Sequence, residues 1–385
     1  MTSPTIAVLS TYPPTQCGLA TFSAALVEQL TAMNVAVGIV RVLDEPVGDT
    51  TTSGVVAELH NGSAASAAAA LEVLNSYDAV LVQHEYGIYG GPDGADVVPL
   101  LESLTVPSIV VLHTVLAEPT TQQRHILEAV VAAADVVVVM AETPRRRLVD
   151  QYGADPSSVV VIPHGAIDHR LAAPREDNPR PVILTWGLLG PGKGIEWAID
   201  ALPALRDLNP RYLVLGKTHP KVLERHGEAY RSALGERAAA LGVSDLVEMN
   251  AGYIGLADLA QIIGSADVIL LPYDSPDQVT SGVLIEAVAA GRPVVATAFP
   301  HAQELLARGA GMTVPRKDAH ALGSALRRVL TEPGLSAAMG DAALREAPDL
   351  VWGAVADRYR RLANDVVATR ASLARSSRPG WVTAS

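Results

Sequence analysis

Short runs of apolar, largely β-branched residues recur along the chain, each set against a segment of helical spacing, and this alternation restricts the fold more than any other feature. In the first part the runs fall at 5–10 (TIAVLS), 35–42, 79–83, 106–112, 136–140 and 159–162, and helical patterns at 19–30, 64–74, 121–133 and 143–152. Pro144 stands in the first turn of the last of these, where a missing N–H costs nothing. Strands that are apolar on both sides need cover on both faces, so the pattern predicts a parallel sheet between two helical layers. The texture breaks at 171–181 (LAAPREDNPRP), a polar stretch with three prolines that reads as a linker. It then resumes, with strands at 182–186, 212–215, 247–249, 268–271 and 294–296, and helices at 195–205, 221–241, 256–265, 283–290 and 319–331.

The reading is therefore two doubly wound α/β domains, 1–172 and 173–350, with no short-period repeat. A last helical stretch over 347–367 is assigned to a helix at 351–371 that packs back on the N-terminal domain, followed by a tail at 372–385. A length of 385 residues agrees with two cores. The formal charge of −12 argues against a general nucleic-acid binder. The single cysteine, Cys17, allows no intrachain disulfide and points to a reducing, cytoplasmic compartment. The N-terminus lacks the basic region and long apolar core of a signal peptide, and the most apolar stretch, 126–141, carries Glu128 and Asp135 and falls short of a membrane span. Residues 144–147 (PRRR) offer arginines to an anionic surface such as a membrane periphery, although a solvated helix face accounts for them better.

The sharpest local motif is 187–194 (GLLGPGKG), directly after a strand and before a helix. Glycines here let the backbone approach a ligand and present N–H donors, and Lys193 adds a point charge, a combination suited to a diphosphate. It is not a Walker A loop, because Gly194 stands where Ser or Thr must hold Mg²⁺. It is not the dinucleotide fingerprint either, because Ile195 stands where the third glycine belongs. A glycine-rich turn with a solvated lysine explains it as well as a binding loop does. A second motif covers 274–297 (DSPDQVTSGVLIEAVAAGRPVVAT). Ser281 and Gly282 open a helix whose first turn, with Val283 and Leu284, offers amides to an anion. Glu286 on that helix is placed to accept hydrogen bonds from ribose hydroxyls, or merely to favour the helix dipole. The default ligand site for such a chain is a cleft between its two domains.

In order and spacing these motifs resemble a family-4 glycosyltransferase of the GT-B fold, in which two Rossmann-like domains face a central cleft, and the likeness covers nearly the whole chain. It rests on 187–194, on 265–297 with its Gly291-Arg292-Pro293-Val294-Val295 sequel, and on 161–165 (VIPHG). The opening Tyr12-Pro13-Pro14 with Cys17-Gly18-Leu19-Ala20-Thr21-Phe22, together with Gln83-His84-Glu85-Tyr86-Gly87, is similar to a mannosyltransferase-like branch.

The resemblance implies a donor nucleotide on the C-terminal domain and an acceptor on the N-terminal one. Lys193 would neutralise the leaving diphosphate, helped by Lys217 or His219. Gly187, Gly192, Gly194, Ser281 and the amides of Gly282, Val283 and Leu284 would line the phosphates, with Gly18 approaching from the other domain. Glu286 would hold the ribose, and Gly216, Tyr253 and Ile254 would flank the nucleotide. His113 would sit beside the transferred sugar, and His84, Glu85 and Tyr86 would meet the acceptor. Two positions depart from the family pattern: Gln278 replaces the first of two paired glutamates and is read as a sugar contact, and Leu188 stands where a basic residue is common.

The implied activity is retaining hexosyl transfer without a metal or other cofactor, with GDP-mannose as the favoured donor and a saccharide or glycoconjugate as acceptor. A UDP-glucose-type donor, a catalytically silent sugar-nucleotide binder, and a phosphorylase or epimerase on the same fold remain open.

Overall fold

In a computed structural model of the chain, the described residues are 3–44, 52–169, 179–252 and 254–376. Contacts divide the chain into two units, one of Met1–Pro163 with Trp352–Ser385 and the other of His164–Val351. The boundary expected at 172/173 lies outside the described residues, and the contacts break earlier, at Pro163/His164.

The first unit runs β1 (Ile6–Ser10), α1 (Gly18–Ala32), β2 (Val37–Leu43), β3 (Val55–His60), α2 (Ala64–Leu74) and β4 (Ala79–His84). It continues with α3 (Val97–Glu102), β5 (Ser108–Leu112), α4 (Thr121–Ala133), β6 (Val136–Val139), α5 (Glu142–Tyr152) and β7 (Val159–Val161). Its seven strands lie in the order β3-β2-β1-β4-β5-β6-β7, all parallel. Alternation along each strand divides the core. Ala7 and Leu9, Val110 and Leu112, and Val137 and Val139 face one layer, while Ile6 and Val8, Ile109 and Val111, and Val138 face the other. Side-chain caps start the helices: Ser63 caps α2, and Thr120 with Gln123 forms a capping box on α4.

The second unit runs β8 (Val182–Trp186), α6 (Ile195–Ala201), β9 (Arg211–Leu215), α7 (Pro220–His226), α8 (Ala229–Ala240), β10 (Val247–Asn250) and α9 (Leu256–Ser265). Then follow β11 (Val268–Leu271), α10 (Gly282–Ala289), β12 (Val294–Thr297), α11 (Pro300–Leu306), β13 (Gly311–Val314), α12 (Ala319–Thr331) and α13 (Leu335–Leu350). The parallel sheet order is β10-β9-β8-β11-β12-β13. Val182 and Leu184 pack to one side with Ile269, Leu271 and Val294, and Ile183 packs to the other with Val268, Leu270 and Val295.

Two helical readings needed correction. The stretch expected as one helix over 221–241 is two, α7 and α8, because Gly227 takes φ 56 and ψ −141 and closes α7. The stretch expected over 347–367 also splits. Val351 is extended and bridges Ala166, so α13 stops at Leu350 and a separate helix, α14 (Trp352–Ser376), begins. That helix belongs to the first unit. Val355, Ala356, Tyr359 and Ala363 are buried in the core that α1 also fills, Trp352 meets Phe22 edge-on at 5.0 Å, and Arg370 pairs with Asp135 at 3.2 Å.

Candidate functional site

In the second unit the strand order reverses between β8 and β11, so the loops leaving these strands diverge and open a crevice at their carboxyl ends. The glycine-rich loop 187–194 lies there, and its geometry explains its composition. The Gly187 N–H bonds the Leu215 carbonyl at 3.0 Å. Gly216, at φ 130, lies so close behind it that a Cβ would fall 2.0 Å from the Gly187 carbonyl oxygen. The loop is then zipped to 216–219, since Leu189 donates to Lys217 O at 2.8 Å and accepts from the His219 N–H at 2.8 Å. At its far end Gly194, at φ 66, has no room for a Cβ, which would stand 1.8 Å from the Pro272 carbonyl oxygen at the end of β11. Gly192, at φ 89, faces open space instead, while its carbonyl accepts from the Asp274 N–H at 2.9 Å.

Between these anchors Lys193 rests its Nζ 4.4 Å from the ring centroid of Tyr273. Tyr273 is buried and stacks on Phe299 at 5.2 Å. An ammonium on an aromatic face keeps its charge and its N–H donors for a ligand. Burial lowers the pKa of His219, and the charges of Lys221 and then Lys193 lower it further, so near pH 7 His219 offers hydrogen bonding rather than the extra positive charge read from the sequence. Lys217 is exposed beside it.

α10 opens under tight control. Ser281 caps it by accepting from the Leu284 N–H at 3.2 Å, and the Ser281 N–H donates to His301 Nδ1 at 2.9 Å. His301 is buried and its pKa is lowered to about 4, chiefly by desolvation, so it is a neutral acceptor. Of the three amides the sequence points to, that of Leu284 is used internally, and those of Gly282 and Val283 head the helix. His164 lies against Gly282, where a Cβ would sit 2.9 Å from its ring. Glu286 bonds the Ile167 N–H at 3.1 Å and His169 Nε2 at 2.9 Å with its side chain 18% exposed. It thus ties residues 167–169 to α10 while a carboxylate's remaining lone pairs stay available. Gln278 turns its Nε2 back to the Thr280 carbonyl. Ile254 packs against the core below, and Tyr253 lies outside the described residues.

The first unit has its own strand-order reversal, between β1 and β4. Gly18 opens α1 with nothing within 4 Å of a would-be Cβ, next to Cys17, whose Sγ lies 3.2 Å from Thr11 Oγ1. At the ends of β4 and β5, His113 Nε2 meets Gln83 Oε1 at 2.6 Å and packs edge-on to Phe22 at 5.0 Å. Glu85 accepts from the Thr114 hydroxyl and from the Tyr86 N–H. His84 is placed inside, 1% exposed and edge-on to Tyr86 at 5.4 Å. Burial drops its pKa to about 4. Any influence of His84 on an acceptor therefore passes through its neighbours, whereas Glu85 is partly exposed. Among the described residues no group of three His, Cys, Asp or Glu side chains is gathered as a metal site, and no helix is long and apolar enough to cross a membrane.

Sequence reasoning did not find Tyr273 and Thr218 beside the glycine-rich loop, or His301 at the start of α10. Tyr273 lies two residues beyond the strand read at 268–271, and His301 sits on α11, a helix the pattern did not reveal.

Comparison with known proteins follows the same division. Residues 180–332 match the family model described as glycosyl transferases group 1. The chain is 32% identical over 275 residues to a D-inositol 3-phosphate glycosyltransferase of Kineococcus radiotolerans, covering 63% of this chain and 61% of that protein. A namesake from Stackebrandtia nassauensis is 30% identical over 65% of this chain and 58% of its own. The chain thus spans about three fifths of the length of the curated relatives it matches. Among solved structures, the Anabaena protein HepE in complex with UDP superimposes with a TM-score of 0.75 at 17% identity over 94% of this chain and all of that one. Sucrose-phosphate synthase from Thermosynechococcus elongatus gives 0.76 at 19% identity, over 95% of this chain and all of its own. Residues 180–332 are thus similar to the glycosyl transferases group 1 domain, within a chain that has the GT-B fold.

Proposed function

We propose that this chain moves a hexose from a nucleoside diphosphate sugar to the hydroxyl of a saccharide or glycoconjugate acceptor, retaining the anomeric configuration and using no metal ion. The observation that carries the reading is Lys193 on its aromatic platform, within a loop so tightly seated that Gly194 and Gly216 admit no side chain, inside the matched segment. A fixed cation beside open main-chain amides stabilises negative charge that grows on a departing diphosphate, without reorganising when it appears. The bond from the anomeric carbon to the β-phosphate oxygen breaks, the acceptor oxygen bonds that carbon from the same face, and the acceptor proton passes to the leaving phosphate oxygen. Holding the acceptor hydroxyl against the anomeric carbon on that face supplies much of the rate. Glu286 takes the ribose hydroxyls, and His113 and Glu85 belong to the sugar-facing side.

GDP-mannose is the donor favoured by the likeness of the N-terminal motifs. A UDP-hexose is the second reading, favoured by the structural likeness to a protein solved with UDP. The test is turnover of GDP- and UDP-hexoses with and without chelator, with product anomers read by NMR. Transfer from one donor series, insensitive to chelator, is the expected result. Loss of activity on chelation defeats the metal-free scheme, an inverted product defeats retention, and absence of turnover with every donor leaves a silent binder.

A further inference from the structure

Arg231 lies in the first turns of α8 with its guanidinium drawn inward, its side chain 15% exposed. Nη2 donates to the Gly216 carbonyl at 2.6 Å. Nε and Nη1 are buried without a hydrogen-bond partner. Glu228 stands 3.5 Å from Nε as an ion pair, but its Oε2 already accepts the Thr218 hydroxyl. A largely buried guanidinium with two nitrogens that lack a hydrogen bond is costly for a fold. Its location gives a reason for it. Gly216, which it grips, packs on Gly187 at the start of the glycine-rich loop, and Glu228 grips Thr218, which bridges Leu189 of that loop. The guanidinium therefore backs the rim made by the two loops at the ends of β8 and β9. Lys193 and the exposed Lys217 are the other cations of this rim, and the pKa of His219 is lowered by burial and by Lys221 and Lys193.

We propose that Arg231 is a positioning and electrostatic residue for the diphosphate of the donor. It fixes the Gly216 carbonyl and places positive charge behind the loop, in a medium where charge acts over longer range than in water. This rests on the functional reading above and adds a specific cation to it. Its signature is a dependence on phosphate number, which a merely structural clamp lacks.

The experiment measures by calorimetry the affinities of uridine, UMP and UDP, and of guanosine, GMP and GDP, for wild type, Arg231→Gln, Arg231→Lys and Lys193→Ala. For the base series that binds, Arg231→Gln is expected to lose about tenfold for the diphosphate, about threefold for the monophosphate and under about twofold for the nucleoside. Arg231→Lys keeps the charge without the fork and is expected to preserve the preference for diphosphate over nucleoside within about threefold. Equal losses down the series, or none, in folded Arg231→Gln overturn the proposal. So does Arg231→Lys losing that preference, which applies even if the glutamine variant does not fold. If Lys193→Ala loses diphosphate affinity while Arg231→Gln does not, the functional reading stands and the Arg231 inference falls. If wild type binds no nucleotide, both fall.

Discussion

The carboxyl ends of the two sheets carry different chemistry on the same topology. In the second unit the crevice is made mainly of backbone: glycines with positive φ, the head of α10, and a lysine laid on a buried ring. In the first unit it is made of side chains that bond one another, with Gln83 on His113 and Glu85 on Thr114. Main-chain amides and a fixed cation suit an anion whose charge changes during reaction. Imidazole, amide and carboxylate groups suit hydroxyls, each of which both donates and accepts. One fold used twice can thus serve two ligand classes.

The comparison breaks most sharply at glycine. Gly194→Ala would put a methyl against the Pro272 carbonyl and force an unfavourable φ, so the loop must move. We expect nucleotide affinity to fall by about 100-fold or more, since angstrom-scale misplacement has effects of that order. Gly192→Ala meets no atom within 4 Å and carries only the φ penalty, about 1–2 kcal/mol. Gly18→Ala in the first unit meets neither obstacle and should leave the melting temperature unchanged. Calorimetry and thermal melts on the three variants rank them, and a Gly194→Ala protein that binds as wild type removes the backbone argument.

Next in size is the contrast between Lys193 and His113. Lys193→Ala should lower turnover by about 100-fold with the fold intact, the scale set by losing one oxyanion-stabilising group. His113→Ala should lower turnover by about tenfold through the sugar-facing side yet leave nucleoside diphosphate affinity unchanged. Steady-state kinetics paired with calorimetry checks both. If His113→Ala weakens nucleotide binding as strongly as Lys193→Ala, the division of labour is wrong.

Glu286 gives a smaller effect with a specific readout. Because it also holds Ile167 and His169, Glu286→Gln keeps part of that tie while losing charge. Affinity for a ribonucleoside diphosphate should fall about fivefold, and that for the 2′,3′-dideoxy analogue should not change, as befits hydrogen bonds from neutral groups to a charged acceptor. Equal losses for both assign Glu286 to the tie rather than to the ribose.

Much of this was legible in the sequence. The buried strands announced themselves because parallel strands covered on both faces are continuous apolar runs, as in Val136–Val139. The glycine loop was legible because only glycine tolerates its φ values and close approaches. β3 was missed because its VVAELH mixes charge into an edge strand. α11 and β13 were missed because seven and four residues are too few to show a period. Gly227 in a helix-rich stretch was read through, although a positive φ there ends α7. The burial of Arg231 and His84 was not legible, because a charged or polar residue at a helical or strand position is silent about depth until its neighbours are placed.

The last comparison sets the units side by side through one buried histidine each. His84 and His301 both have pKa values lowered to about 4, with desolvation the leading cause. Between that value and the ordinary 6.5 of an unfolded chain, the unfolded state binds a proton that the folded state refuses. Stability is therefore fully present above about 6.5 and is lost as pH falls toward 4, with a slope of about 1.4 kcal/mol per pH unit for each histidine where the difference is complete. The two should respond differently to replacement. The ring nitrogens of His84 are buried without partners, so His84→Phe removes the titration at little cost and should flatten the acid side of the first unit's melting profile. His301 accepts the Ser281 N–H that begins α10, so His301→Asn keeps an acceptor and flattens the second unit's profile, while His301→Phe leaves a buried amide unmet and lowers stability even at pH 7.5, by about 1–3 kcal/mol. Melting temperatures at pH 7.5 and 5 for the three variants decide it. A wild type equally stable at both pH values rules out buried neutral imidazole in either unit, and a harmless His301→Phe detaches His301 from the start of α10.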